Sequence, residues 1–164
     1  MIEKTFPITE KLLSNGFKFT QKLFELLTSE FEQLKRKTDP IALSTLATNK
    51  KEVVSQLEQF SKQLGQVLAT EKLPLNQEGV MSYLAKAKAA DISTDESLQH
   101  WREITALLTK CRSLNEQNGA SIDLLNRHIQ RSLQILRGKS QLTSTYGPDG
   151  STRSMLFSHT LISV

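Results

Sequence analysis

DESLQHWREITALLTKCRSLNEQNGASIDLLNRHIQRSLQILR, residues 95–137, is the most regular stretch of the chain. Steps of three and four lead through Trp101, Ile104, Leu108, Cys111, Asn115, Asn118, Ile122, Leu125, Ile129 and Leu136, with Ser132 and Leu133 sharing one position. Such steps return to one side of a helix and make a coiled-coil-like seam. Ser93 or Thr94, followed by Asp95 and Glu96, supplies a start signal. Gly138 stands where a C-terminal glycine cap is common.

The same spacing recurs upstream. Leu43, Leu46, Lys50, Val53, Leu57, Phe60, Leu64 and Val67 form a second line, begun by Asp39-Pro40, a cap followed by a first-turn proline. Lys50 falls on that line, and its stem is expected to pack while its ammonium reaches solvent. Residues 8–37 carry a third line, Leu13, Phe17, Thr20, Phe24, Leu27, Phe31 and Leu34, widened by Leu12, Phe19, Leu23 and Leu26. Gly16 reads as a weak spot in it, costing about 1 kcal/mol against alanine. The few residues between these two helices favour an antiparallel hairpin, each arm ~45 Å long at 1.5 Å per residue. Leu73-Pro74 ends the second helix, and Asn76 caps a short one holding Val80, Met81, Tyr83, Leu84 and Ala87.

From Lys139 the composition turns to Ser, Thr, Gly and Pro, including the turn string Tyr146-Gly147-Pro148-Asp149-Gly150. The last residues, Met155-Leu156-Phe157, Leu161-Ile162 and Val164, are apolar again. Phe157, Leu161 and Val164 are spaced as one face of a short helix, which would bury against a partner or the chain's own body. A disordered tail with incidental apolar residues is the alternative. The division expected is a helical body over 1–138 and a flexible tail over 139–164 that folds on binding.

Composition agrees. Seven glycines and four prolines are too few for the closely spaced turns of a β-sandwich, so the fold class is all-α. The architecture expected is an elongated antiparallel hairpin or bundle of three long helices plus one short helix. The net charge of +4 is interspersed, and Lys35-Arg36-Lys37 closes a helix, where the macrodipole favours cations. No aromatic residues interleave with a basic patch, which argues against nucleic acid. One cysteine, Cys111, allows no intramolecular disulfide. No apolar run approaches a membrane span of roughly 18 residues, and Met1 to Leu13 lacks a signal-peptide core. A cytoplasmic protein without membrane insertion is expected.

Little in the chain suggests catalysis. His100 and His128 sit beside seam residues and His159 in the tail, with no Glu-x-x-His repeat, so no metal is expected. Phosphotransfer through His128 would need small residues for phosphate access, and Ile129-Gln130-Arg131-Ser132 offers no glycine. Cys111 occupies a seam position, where it packs as a small apolar residue. No Gly-rich phosphate loop is present, and neither an enzyme nor a cofactor is expected. Asn115 and Asn118 are more informative, because amides in adjacent seam layers cost packing energy. They either specify register or meet solvent, or they bind backbone groups of another helix, with Gly119 admitting a close approach.

Trp101-Arg102-Glu103-Ile104-Thr105, Leu114-Asn115-Glu116-Gln117-Asn118-Gly119 and Tyr146-Gly147-Pro148-Asp149-Gly150, in that order, resemble the FlgN flagellar export chaperones. The likeness covers roughly the C-terminal 65 residues at motif level, and the two N-terminal helices agree in pattern and length. It implies a helical protein without catalytic activity. Such a chaperone binds the C-terminal helical regions of hook-associated proteins, prevents premature assembly and docks the cargo at the flagellar type III export gate. By this resemblance Asn115, Asn118, Gly119, Ile122 and Leu125 are candidates for the cargo face or its support, with Ile129 continuing it, and Tyr146 and Gly147 for gate docking. Outside the shared motifs, Met155, Leu156, Phe157, Leu161 and Ile162 are further cargo candidates on their apolar character alone. The competing readings are a coiled-coil adaptor unrelated to flagella and a histidine phosphotransfer domain. The heptads leave open whether the seams pair within one chain or between two.

Overall fold

A computed structural model describes residues 1–36 and 39–136, with side chains left out for 125, 126 and 128–136. It holds α1 (Ile2–Lys35), α2 (Pro40–Thr70), α3 (Gln77–Ala89) and α4 (Asp95–Leu136), with no strand among the described residues. The all-α expectation is met, as are three long helices and one short. α1 begins six residues earlier than the periodicity suggested and carries Pro7 inside it, with the loss of one i→i−4 bond.

α1 is the central member. Phe60 of α2 packs at Gly16, and Lys50 reaches Glu30, so α2 runs antiparallel to α1. His100 of α4 stacks on Phe17, and Asn118 meets Leu27 and Glu30, so α4 runs parallel to α1. The backbones of α2 and α4 do not approach closely among the described residues; both pack on α1. α3 carries the chain across the end where α1 begins. The fully buried Tyr83 hydroxyl lies 2.7 Å from Thr5 Oγ1 and accepts a hydrogen bond from Thr9 Oγ1 at 3.1 Å.

This central placement corrects the expected line on α1. The buried positions are Phe6, Thr9, Leu13, Gly16, Thr20, Leu23, Leu27 and Glu30, while Phe17, Phe24 and Phe31 are half-buried. A helix with a neighbour on each side buries the strip between its two flanks. The aromatic flank, stacked at Phe17, faces α4, and the flank of Leu12 and Phe19 faces α2. On α2 the expected line holds from Val53 to Val67, with Leu68 buried beside it.

Gly16 is not a weak spot. An alanine Cβ there would stand 2.6 Å from the Phe60 ring, so the missing side chain is what lets that ring fill the α1–α2 interface. Lys50 also departs from expectation: its ammonium turns inward, 3.0 Å from each oxygen of the buried Glu30 carboxylate.

The helix ends follow local chemistry. Asp39 Oδ1 accepts from the Ile41 N–H and Asn76 Oδ1 from the Gly79 N–H, satisfying first-turn donors. α2 and α3 each end in a Schellman turn, with Leu73 N–H bonded to Leu68 O and Ile92 N–H to Ala87 O. The left-handed positions are held by Lys72 and Asp91, at φ 57° and 58°, instead of glycine.

Candidate functional site

α4 presents Ser97, Ile104, Cys111 and Asn118 at seven-residue spacing, all buried, and this line faces α1. Trp101, Leu108, Asn115 and Ile122 run half-buried along its edge. Trp101 donates its indole N–H to Gln77 Oε1 at 2.8 Å, tying the start of α4 to α3. Burial pushes the Cys111 thiol up to about 11, so the sulfur is a packed, protonated side chain and not a thiolate nucleophile.

The two seam amides have different fates. Asn118 is 1% exposed, and its Nδ2 donates to Leu27 O and to Glu30 Oε2, each at 2.9 Å. Lys50 completes the arrangement from the other side, so one carboxylate of α1 is bridged to α2 and to α4. Asn118 Oδ1, also buried, has no partner. Both readings meet at Asn118: it binds a backbone carbonyl of another helix, Leu27 O, but that helix is the chain's own α1, where the bond specifies register. Asn115, one turn earlier, is half-buried, and its side chain makes no hydrogen bond among the described residues. Gly119 and Ile122 are half-buried beside it, and Leu124 is 69% exposed.

α4 is longer than the body it packs on. Asn118 is level with Leu27 and Glu30, and α1 ends at Lys35. From Asn118 to Leu136 the helix rises about 27 Å, whereas α1 has only about 10 Å left beyond that level. The final 17 Å or so of α4 therefore projects past α1, carrying the sequence positions Leu125, Ile129, Leu133 and Leu136. The side chains of Leu125 and Ile129 lie outside the described residues, as do Tyr146, Gly147, Met155, Leu156, Phe157, Leu161 and Ile162. The side chain of His128 lies outside them too, so the phosphotransfer alternative has no geometry to meet.

Sequence reasoning missed Glu30 as the partner that Asn118 and Lys50 share. The spacing placed Lys50 and Asn118 on seams, but Glu30 was off the expected line, and only the shifted line brings the three together.

Among the described residues there is no cluster of three or more His, Cys, Asp or Glu side chains able to hold a metal. Nor is any described helix long and apolar enough to cross a membrane. No curated protein and no solved structure shows significant similarity to the chain. The family model described as FlgN protein matches residues 8–154, spanning all four helices and the Tyr146–Gly150 string. On that match across most of its length, the chain belongs to the FlgN protein family.

Proposed function

We propose that this protein is a cytoplasmic chaperone of flagellar type III export. It binds the C-terminal helical regions of hook-associated proteins, prevents their premature assembly and delivers them to the export gate. The family match supports the general role. The observation that carries the cargo face is the projecting end of α4, where an apolar seam continues past the last turn of α1. An amphipathic cargo helix laid along it takes the place of a neighbour that the described residues do not supply. Asn115, Gly119 and Ile122 lie half-buried along the edge of α4 before this seam leaves the body, offering an unbonded side-chain amide and a close approach. Asn118 contributes as support, by holding α4 in place. Leu125 and Ile129 continue the face, and Met155, Leu156, Phe157, Leu161 and Ile162 close over the cargo. Tyr146 and Gly147 dock the complex at the gate.

The test is size-exclusion chromatography with light scattering on the full chain mixed with the C-terminal segment of a hook-associated protein. A stable complex, lost when the chain is cut after Arg137 or when Asn115→Asp and Ile122→Asp are introduced together, is the expected result. Absence of a complex between two folded components refutes the cargo assignment and favours a general helical adaptor.

A further inference from the structure

The flank of α1 that faces α2 carries a second feature, on the side of α1 away from α4. Between the two helices lies an open cleft of about 210 Å³. Leu12, Phe19 and Phe60 form its floor, and Asn15, Gln56, Gln59 and Gln63 its rim. The volume is below the roughly 300–1,000 Å³ of small-molecule pockets, and the cleft is open along its length, which suits side chains of a peptide more than a metabolite.

The α1 border of the cleft is predominantly basic, while the α2 border carries both signs. Lys4, Lys11, Lys18 and Lys22 are exposed and occupy the helical positions just outside Leu12, Asn15 and Phe19, with the exposed Ile8 among them. None of the four is ion-paired among the described residues. Glu3, Glu10 and Glu32 lie on the opposite shoulder of α1, toward α4, and Glu25, one turn after Lys22, borders the far end of the lysine line. Across the cleft, Lys62 stands on the outer edge of α2 with Glu58 one turn before it, and Glu52 lies one turn before Gln56. The lysine line extends about 27 Å, the length of a partner helix of some five turns.

We propose that this cleft is a docking surface for an acidic amphipathic helix of a partner protein, separate from the α4 face. Apolar side chains of that helix enter over Phe19 and Phe60, the amide rim bonds its polar groups, and its carboxylates lie along the lysine line. A flat anionic bilayer meets the lysines but not a floor recessed below four amides. Duplex nucleic acid leaves the apolar floor unused.

The experiment uses the full chain and a synthetic helical peptide of about twenty residues, with leucine on one face and glutamate along one edge. A second peptide carries lysine in place of glutamate. The expected result is binding of the acidic peptide alone, weakened about tenfold between roughly 50 and 300 mM salt. Amide shifts should be confined to Asn15, Gln56, Gln59 and Gln63 in nuclear magnetic resonance. The triple variant Lys11→Glu, Lys18→Glu, Lys22→Glu changes only exposed positions; with unchanged helicity it should weaken binding at least tenfold. Gln59→Trp, also exposed, should block the cleft without altering charge. Equal binding of the two peptides, no binding, or indifference to the triple variant overturns the proposal. Tighter binding to phosphatidylserine vesicles or to a DNA duplex than to the acidic peptide also overturns it, replacing the partner class.

Discussion

Removing the Asn118 amide tests whether the buried Glu30 carboxylate holds the three long helices as one unit. In Asn118→Ala, Glu30 Oε2 loses a donor at 2.9 Å and Leu27 O loses another. A hydrogen bond to a charged group contributes about 1.5–3 kcal/mol and a neutral one about 1 kcal/mol. Removal of the unpartnered buried Oδ1 returns about 1 kcal/mol. The net cost is about 1.5–3 kcal/mol. Lys50→Met leaves Glu30, 3% exposed, without its cation, which costs about 3 kcal/mol. This is the low end for a broken buried pair, because the Lys50 side chain keeps 17% of its exposure.

Replacing all three residues by leucine should behave differently. Desolvating an ion pair offsets most of its attraction, so an apolar substitute of similar volume is often neutral or better. The triple variant Glu30→Leu, Lys50→Leu, Asn118→Leu is expected within about 1 kcal/mol of the parent, despite single costs near 3. The assay is urea unfolding followed by far-ultraviolet circular dichroism, with each single, double and triple variant compared at one pH. Single losses that add up to the triple loss would falsify the coupling, since independent groups add and a shared network does not.

Three further outcomes are expected. Gly16→Ala should destabilise by about 1–3 kcal/mol in the same urea assay despite alanine's higher helix propensity, because its Cβ meets the Phe60 ring at 2.6 Å, and Phe60→Leu should relieve much of that loss. Lys72→Gly and Asp91→Gly, at φ 57° and 58°, should each stabilise by about 0.5–1 kcal/mol in thermal unfolding, the left-handed strain outweighing the added freedom of the unfolded chain. The Cys111 thiol titrates near 11 when folded against 9.0 for the ordinary thiol, so its contribution is fully present below pH 9 and lost as pH rises toward 11; at pH 10 the chain should have lost about 1 kcal/mol relative to Cys111→Ala, read as a difference in urea midpoints.

The periodicity carried most of the fold and failed where one helix has two neighbours. α2 has its main contact on one side, and Val53, Leu57, Phe60, Leu64 and Val67 are all buried as the spacing requires. α1 has two, so its most apolar residues, Phe17 and Phe24, became a flank while Gly16, Thr20 and Glu30 took the centre. A hydrophobicity count weights phenylalanine over glycine and cannot know that the glycine gap is filled by Phe60 from another helix. The direction of α4 was equally hidden, because heptads look alike in parallel and antiparallel pairs. Only the short α3, crossing at the start of α1 and tied there by Tyr83, returns the chain to run alongside α1. For the site, Asn115 and Asn118 were legible as amides on a seam, but their division of labour depends on which α1 residue stands opposite.

That opposite residue also sets how far α4 projects. A slip of α4 by one heptad, about 10 Å along the axis, would bring Cys111 or Leu125 level with Glu30. A protonated thiol is a weak donor and leucine offers none, so the carboxylate would keep only Lys50 and the Leu27 carbonyl would lose its side-chain donor. The apolar layers alone distinguish such slips weakly, since Ile104, Cys111 and the leucines around them are of comparable character. A single buried amide opposite a single buried carboxylate makes one register the best by about the 1.5–3 kcal/mol assigned to Asn118, a preference of roughly tenfold to 150-fold at equilibrium. The length of α4 offered beyond α1 is thus fixed by a polar layer at the edge of the body, next to the seam residues that the cargo reading needs exposed.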